Sequence, residues 1–372
     1  MKVFFTRTIY VLALALLTAI VLSAQSSSGD TDEVIKIDTQ LVDVPVTVTA
    51  RSGEAFKDLK ASSFVLYEDG VKQNILNFSA VSEPFEVVLL LDTSGSARND
   101  LQLIERVAAF FIDSLRPGDR VAITAFKMTG SGRELMPAVD NVIGLTSDRA
   151  KLHDALAHVA TSSGTPFYDG LESIIDINFQ NSAGVRSRGR RAIVALTDGV
   201  DSTSTAQFAD VKNKLSAAGI VTYFIAVDTR EFFEDALTGD CGTAMRFSNE
   251  QIRRYYRSIG TKNDIEKAAT FCQLGEFERL AVSKHLYETA DIEMDLMARS
   301  SGGGVIPVAD LTEARSAFKR VSDEIGTKYT LSYSPSNEKK DGTYRKITVE
   351  VKGMPDGTAV RAREGYTAPK DK

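Results

Sequence analysis

The pattern of hydrophobic and polar positions changes twice along the chain and divides it into three parts. Residues 35–82 show short β-branched runs with partial alternation, such as VDVPVTVT over 42–49, and Glu68-Asp69-Gly70 between two further runs predicts a β-hairpin. Residues 328–367 return to the same pattern. Because segments of about 40–50 residues bury little core on their own, we expect the two flanks to pair into one β-sandwich.

The middle part, residues 84–326, alternates continuous apolar runs with helical patterns. Apolar runs such as EVVLLL over 86–91 are typical of strands buried on both faces of a parallel sheet. The predicted strands cover 86–91, 121–126, 192–196, 220–227 and 305–308, and the predicted helices cover 101–115, 148–160, 168–179, 208–218, 292–300 and 311–325. This alternation predicts an α/β fold with a doubly wound, mostly parallel, Rossmann-like sheet, accompanied by the β-sandwich of the flanks.

Residues 229–290 interrupt the strand–helix rhythm and form a predicted insertion, which is charged and contains both cysteines. The insertion follows the strand over 220–227, so it leaves the sheet at the edge where the parallel strands end. Long insertions at such an edge commonly shape or cover binding sites. We therefore expect a partly helical wall that helps to select a partner. The alternative is a surface excursion without a role in recognition.

The N-terminus carries the features of a secretory signal peptide. Lys2 and Arg7 precede an apolar stretch over 9–22, and Ser23-Ala24 supplies small residues before a cleavage point. We expect residues 1–24 to be removed near Ala24, residues 25–34 to form a flexible leader, and the protein to be secreted to the periplasm or the extracellular space. The alternative is that the apolar stretch is not cleaved and stays in the membrane as an N-terminal anchor. No other segment is apolar enough to span a membrane.

Composition narrows the classes of function. The 372 residues include 44 lysines and arginines and 50 aspartates and glutamates, a net charge of −6, whereas a dedicated nucleic-acid binder would show a basic face. The three histidines form no HExxH motif, and two cysteines cannot build a disulfide scaffold or a four-cysteine zinc site. Because a signal peptide implies an oxidising compartment, we expect a Cys241–Cys272 disulfide, with two free buried thiols as the alternative.

Oxygen-bearing side chains gather where two predicted strands end. Asp92, Ser94 and Ser96 follow the strand over 86–91, Asp198 follows the strand ending at 197, and Thr165 lies in a loop that leads into a helix. In an open α/β sheet, ligands bind at the carboxyl ends of the strands. An all-oxygen set with few formal charges suits Mg²⁺, with Mn²⁺ or Ca²⁺ as alternatives. Taken alone, the Asp92–Ser96 stretch would also serve as a strand-to-helix turn with a capping residue.

At these residues the sequence resembles the von Willebrand factor type A (vWA) domain and its metal-ion-dependent adhesion site. The family pattern of DxSxS, a later Thr and a later Asp is matched by Asp92, Ser94, Ser96, Thr165 and Asp198, within DTSGS, TPFYDGL and ALTDG. The resemblance implies that these residues bind a metal directly or through water. One coordination position would remain open for an acidic side chain of a protein partner.

The flanks are similar to those of a bacterial family of secreted vWA-related proteins. The segments LVDVPVTVTARSGEAFKDLKASSFVLYEDG and DGTYRKITVEVK carry this coarser resemblance, which implies little about function.

Three hypotheses for the function follow. The first is a secreted or envelope binding protein that recognises a protein partner through a metal-bridged carboxylate. The second is a structural or assembly protein of the cell envelope with a structural metal. The third, a metal-dependent hydrolase, is the least favoured, because the sequence contains no GxSxG elbow, no GxxxxGK[ST] loop and no second Asp-Thr-Gly-like triplet. We therefore expect a protein that is not an enzyme.

Overall fold

Strands from the flanks and from the middle part build three sheets. The structure, a computed structural model, describes residues 41–52, 54–79, 84–94, 101–179, 191–237, 239–240, 247–260 and 271–370. Its strands are β1 (Val42–Thr49), β2 (Phe64–Glu68), β3 (Val71–Gln73), β4 (Ile75–Ser79), β5 (Glu86–Leu91), β6 (Arg120–Thr129), β7 (Met136–Thr146), β8 (Arg191–Thr197), β9 (Val221–Val227), β10 (Gly304–Val308), β11 (Tyr329–Tyr333), β12 (Tyr344–Val351), β13 (Ala359–Ala362) and β14 (Gly365–Thr367).

Helices connect and cover these strands. They are α1 (Leu101–Ser114), α2 (Arg149–Leu156), α3 (Phe167–Ser173), α4 (Phe208–Ala217), α5 (Arg230–Asp235), α6 (Asn249–Ser258), α7 (Glu276–Ser301) and α8 (Ala314–Ile325). Short 3-10 helices cover Ala61–Ser63, Gly132–Glu134 and Phe271–Gln273. The helix predicted over 168–179 is divided, because a π-helical segment, Ile174–Phe179, continues α3.

The central sheet has six strands in the order β10-β9-β8-β5-β6-β7. All neighbours are parallel except β6 and β7, which are antiparallel. Alternate residues of β5 face opposite sides: Leu89 packs with α1, α2 and α8, whereas Leu90 packs with α3, α4 and part of α7. Burial on both faces explains the continuous apolar run of β5. The predicted doubly wound, mostly parallel sheet is confirmed.

The two flanks form a pair of four-stranded antiparallel sheets, in the orders β13-β1-β11-β4 and β14-β12-β2-β3. Each sheet combines N-terminal and C-terminal strands: Val44 of β1 pairs with Leu331 of β11, and Leu66 of β2 pairs with Val349 of β12. Side chains from both sheets share one apolar core. The accompanying β-sandwich is therefore confirmed, and the chain leaves it after β4 and returns at β11. The bounds given above for the two β segments, the middle part and the insertion stay predictions.

The predicted hairpin joins β2 and β3. Asp69 and Gly70 both have positive φ, 47° and 80°, as a two-residue type I′ turn requires. Aspartate and glycine tolerate this conformation better than most residues, so the local sequence specifies the turn.

The insertion has a small apolar core of its own, formed by α5, α6, the 3-10 helix Phe271–Gln273 and the first part of α7. The 26-residue helix α7 runs without a break from this core to the central sheet. The helix predicted over 292–300 thus begins earlier, at Glu276. Its N-terminal half belongs to the insertion, and its C-terminal half covers the sheet.

Some sequence predictions lie outside the described residues. These are the signal peptide 1–24, the leader 25–34, Ser96 and Cys241. Cys272 lies at an exposed position of the 3-10 helix. Because Cys241 lies outside the described residues, the disulfide between the two stays a prediction. Across the described ranges, the structure contains no helix that is both long enough and apolar enough to span a bilayer.

Candidate metal site

Two neighbouring parallel strands deliver the two aspartates of the predicted site to one edge of the sheet. Asp92 follows β5 and Asp198 follows β8, and these strands pair with Leu91 opposite Leu196. The pairing continues past the end of β5, because the backbone N–H of Asp92 donates to the carbonyl of Leu196 at 2.9 Å. Strand register therefore fixes both carboxylates at the same edge.

The carboxylate of Asp92 is buried and held at both oxygens. Its Oδ1 accepts hydrogen bonds from the backbone N–H and the hydroxyl of Ser94, at 3.0 and 2.6 Å. Its Oδ2 accepts from the Thr197 hydroxyl at 2.8 Å, and that hydroxyl in turn accepts from the N–H of Gly199. Burial raises the pKa of Asp92, whereas the hydrogen bonds from Ser94 and Thr197 act in the opposite direction. The side chain is thus fixed in one orientation at the carboxyl end of β5.

Thr165 completes a group of adjacent hydroxyls. Its Oγ1 donates to the Oγ of Ser94 at 2.8 Å, and Thr165 is buried. The loop backbone is held by Ser202, whose hydroxyl accepts from the N–H of Thr165 at 2.8 Å and whose N–H donates to the carbonyl of Thr165 at 3.0 Å. Two hydroxyl oxygens therefore lie side by side next to the Asp92 carboxylate.

The carboxylate of Asp198 is also held at both oxygens. Oδ1 accepts from the N–H of Val200 at 2.9 Å, and Oδ2 accepts from the Thr229 hydroxyl at 2.6 Å. Burial, followed by the charge of Asp92, raises the pKa of Asp198 to about 7. Gly199 permits the turn after Asp198, because its φ is +74°. The raised pKa reflects burial first and the charge of Asp92 second, and a bound cation would favour the ionised form against both effects.

The donor set is made of oxygen atoms and relies on hydroxyls as much as on carboxylates. The structure links Asp92, Ser94 and Thr165 by hydrogen bonds, and it places Asp198 close enough for the charge of Asp92 to raise its pKa. In the described part of the chain, no group of three or more His, Cys, Asp or Glu side chains is arranged to hold a metal ion. A metal at this edge would therefore need the serine and threonine oxygens as well as the carboxylates.

Three residues around the site had no sequence prediction attached to them. Thr197 directly precedes Asp198, so the quoted ALTDG segment already contained it. Thr229 and Tyr287 belong to the insertion, and the Thr229 Oγ1 lies 2.9 Å from the Tyr287 hydroxyl although they are 58 positions apart. Burial and the charge of Asp198 raise the pKa of Tyr287. No local sequence pattern would have linked these two residues to the metal edge, the edge of the sheet that carries Asp92 and Asp198.

Comparison with solved structures identifies distant likenesses. Proximal thread matrix protein 1 from the mussel byssus is 15% identical with a TM-score of 0.42, and the match covers 68% of this chain and 49% of that one. The same mussel protein with a zinc-occupied MIDAS motif is 14% identical, with the same TM-score and coverage. A von Willebrand factor type A protein from Catenulispora acidiphila is 12% identical, with a TM-score of 0.38 and coverage of 90% and 76%. These scores are too low to carry information about ligands, and the chain spans about half the length of the mussel protein.

Comparison at the level of families is more specific. No curated protein matches this sequence. The family model of the von Willebrand factor type A domain matches residues 86–278, which is more than half of the chain and includes β5, β8 and the loop that carries Thr165. The chain therefore belongs to the von Willebrand factor type A domain family.

Proposed function

We propose that this protein binds a protein partner through a divalent metal at the β5–β8 edge, where the partner supplies a carboxylate to the metal. The observation that supports it best is that Thr165, 71 positions after Ser94, meets the Asp92–Ser94 pair at the edge where α/β sheets bind ligands. Membership of the vWA family supports the same general role, since its domains mediate protein–protein interaction.

The donor set fits Mg²⁺. Hydroxyl and carboxylate oxygens with few formal charges suit this hard cation, which usually keeps several of its water molecules. The hydroxyl oxygens of Ser94 and Thr165 already lie together, joined by a hydrogen bond of 2.8 Å. Mn²⁺ and Ca²⁺ also prefer oxygen ligands and are the alternatives to be tested.

The five predicted ligands would bind the ion in two different ways. Ser94, Ser96 and Thr165 would supply neutral oxygens, and Asp92 and Asp198 would bind the ion or hold its water molecules. Since both aspartates already accept hydrogen bonds at each oxygen, they are oriented before the ion arrives. When bound, the metal supplies a Lewis-acidic position that attracts a carboxylate. Few formal charges face the ion, so we expect weak metal binding that a partner's carboxylate strengthens.

We also propose that the protein acts outside the cytoplasm and is not an enzyme. The features of residues 1–24 support secretion to the periplasm or the extracellular space. In that compartment a Cys241–Cys272 disulfide would stabilise the insertion. The partner is expected to be a protein that offers an acidic side chain to the metal. The net charge of −6 argues against nucleic acid as the partner.

A peptide-display selection tests the proposal. The full chain is immobilised, a random peptide library is bound in Mg²⁺, and bound peptides are eluted with EDTA. We expect the eluted peptides to share an Asp or Glu, and we expect replacement of that residue by Asn or Gln to abolish binding. Esterase and peptidase substrate panels run with the same protein should show no turnover.

Matched variants link the selection to the site. Ser94→Ala combined with Thr165→Ala should lose the peptides, whereas Ser163→Ala should retain them, because the Ser163 hydroxyl donates to the sulfur of Met128 in β6 and not to a residue of the site. Peptides that bind equally well in EDTA, or that lack an essential carboxylate, would contradict the proposal. Loss of folding on metal removal would instead support a structural metal.

A further inference from the structure

We propose that the insertion 229–290 is a positioning element for the metal site, in which Tyr287 fixes the Asp198 carboxylate through the Thr229 hydroxyl. This inference rests on the proposed function, since it assigns the insertion a role in the same site. It departs from the view of the insertion as a wall that merely borders the metal.

Tyr287, Thr229 and Asp198 form a relay of hydrogen bonds, which has one consistent direction when the Asp198 carboxylate is ionised, as metal binding requires. The Thr229 hydroxyl lies 2.6 Å from Asp198 Oδ2 and 2.9 Å from the Tyr287 hydroxyl. A carboxylate accepts, so the single proton of Thr229 is donated to Asp198. The Thr229 oxygen must then accept from Tyr287. Tyr287 is therefore the first donor of a chain that ends at the metal edge.

The relay is anchored on rigid elements. Thr229 directly precedes α5, and Tyr287 lies in the 26-residue helix α7. The ring of Tyr287 packs at 6.3 Å from that of Phe233, a residue of α5. Aromatic packing thus sets the position of the Tyr287 hydroxyl, and the hydroxyl sets the rotamer of Thr229.

A second set of contacts runs from α6 to the loop of Thr165. The Gln251 side chain donates to the carbonyl of Asp201 at 3.1 Å, and Arg254 pairs with the Asp201 carboxylate at 3.2 Å. Ser248 donates to the carbonyl of Ser202 at 2.8 Å. Ser202 is the residue that holds the backbone of Thr165 through two hydrogen bonds. The insertion therefore supports the site at Thr165 as well as at Asp198.

Packing alone does not account for these contacts. The insertion has an apolar core that includes Ile252 and Leu286, and this core also packs against Val200 beside the metal edge. Fixing the insertion in place would need only such apolar contacts. A pair of linked hydroxyls aimed at a carboxylate instead adds direction, which is what groups behind metal ligands provide.

Calorimetric titration of the full chain with Mg²⁺ tests the relay. Tyr287→Phe keeps the ring and removes the donor, so we expect Mg²⁺ to bind about tenfold more weakly, the lower end for loss of a group behind a metal ligand. Tyr255→Phe removes the same atom elsewhere in the insertion, where the ring packs against His285 at 5.5 Å, and should leave the affinity unchanged. The melting temperatures of both variants in EDTA should stay within about 2 °C of the wild type, since neither loses core packing.

Substitutions at Thr229 complete the test. Thr229→Ser keeps the hydroxyl and should retain Mg²⁺ affinity within about twofold, whereas Thr229→Val should lose about tenfold. Adding Tyr287→Phe to Thr229→Val should cause no further loss, because the relay is already cut. Unchanged affinity in Tyr287→Phe, or full additivity of the two losses, would overturn the inference while leaving the proposed function intact. A wild-type chain that binds none of Mg²⁺, Mn²⁺ and Ca²⁺ would overturn the proposed function itself.

Discussion

The buried amine of Lys328 provides a pH-dependent test of how the two parts of the molecule are joined. It donates to the Thr47 hydroxyl at 2.8 Å and to the carbonyl of Gly302 at 2.7 Å, and it lies 3.4 Å from the carboxylate of Glu324. Burial lowers the pKa of Lys328 to about 8, and the charge of Glu324 only partly opposes this effect. We predict that Lys328→Met removes a rise in stability that the wild type shows at alkaline pH.

The sign and the size follow from the two pKa values of this lysine. In the unfolded chain the amine keeps its ordinary pKa of 10.5, and in the folded chain it titrates at about 8. Between these values the unfolded state binds more protons, so the free energy of unfolding rises with pH. Below pH 8 the cost of the buried charge is present in full. From pH 7.5 to pH 9.0 the contribution of Lys328 should rise by about 1 kcal/mol.

Urea unfolding of the full chain at these two pH values measures the effect. Lys319→Met is the matched control, because Lys319 is an exposed lysine of α8, the helix that ends just before Lys328, and it pairs with Asp323. Tyrosines with a raised pKa, such as Tyr333, act in the opposite sense above about pH 9, but they are common to all three proteins. If the wild type and Lys328→Met show the same change in unfolding free energy between the two pH values, the reasoning is wrong.

Three further predictions concern other parts of the structure. Gly199→Ala should lower the unfolding free energy by about 2 kcal/mol and weaken Mg²⁺ binding, because φ is +74° and the new Cβ would lie 2.7 Å from the sulfur of Met294 in α7. Thermal melts measure the loss of stability and calorimetry measures the loss of Mg²⁺ affinity. Wild-type values in both measurements would contradict the prediction. Arg345→Met should lower the unfolding free energy measured in urea by about 3–5 kcal/mol, because the Glu68 carboxylate would stay buried without its cation. Adding Glu68→Gln should restore part of that free energy. A larger loss in the double variant would refute the prediction. Neither Cys241 nor Cys272 should react with a thiol reagent in unreduced, denatured protein, and full labelling of both would exclude the disulfide.

The sequence allowed prediction of elements whose signals are local. β5 is apolar at nearly every position because both of its faces are buried, and the β2–β3 hairpin contains residues that tolerate positive φ. The predicted site residues Asp92 and Asp198 follow strands that pair in parallel, so their meeting at one edge followed from the topology.

Elements without a clean local pattern were missed. β7 is a half-buried edge strand, and its Pro137 and Asp140 interrupt the alternation of apolar and polar residues that would have marked it as a strand. The first half of α7 buries Arg279 and Ser283 beside apolar residues, so no single apolar stripe marks the helix. The relay from Tyr287 through Thr229 joins residues 58 positions apart, and only the tertiary fold brings them together.

Calorimetric titration of the full chain with Mg²⁺ at pH 7.5 tests most directly the central claim that the β5–β8 edge binds a divalent metal. The account predicts saturable binding of one ion per chain, loss of that binding in Ser94→Ala combined with Thr165→Ala, and retention in Ser163→Ala. Absence of binding at millimolar Mg²⁺, or an unchanged dissociation constant in the doubly substituted chain, would contradict it.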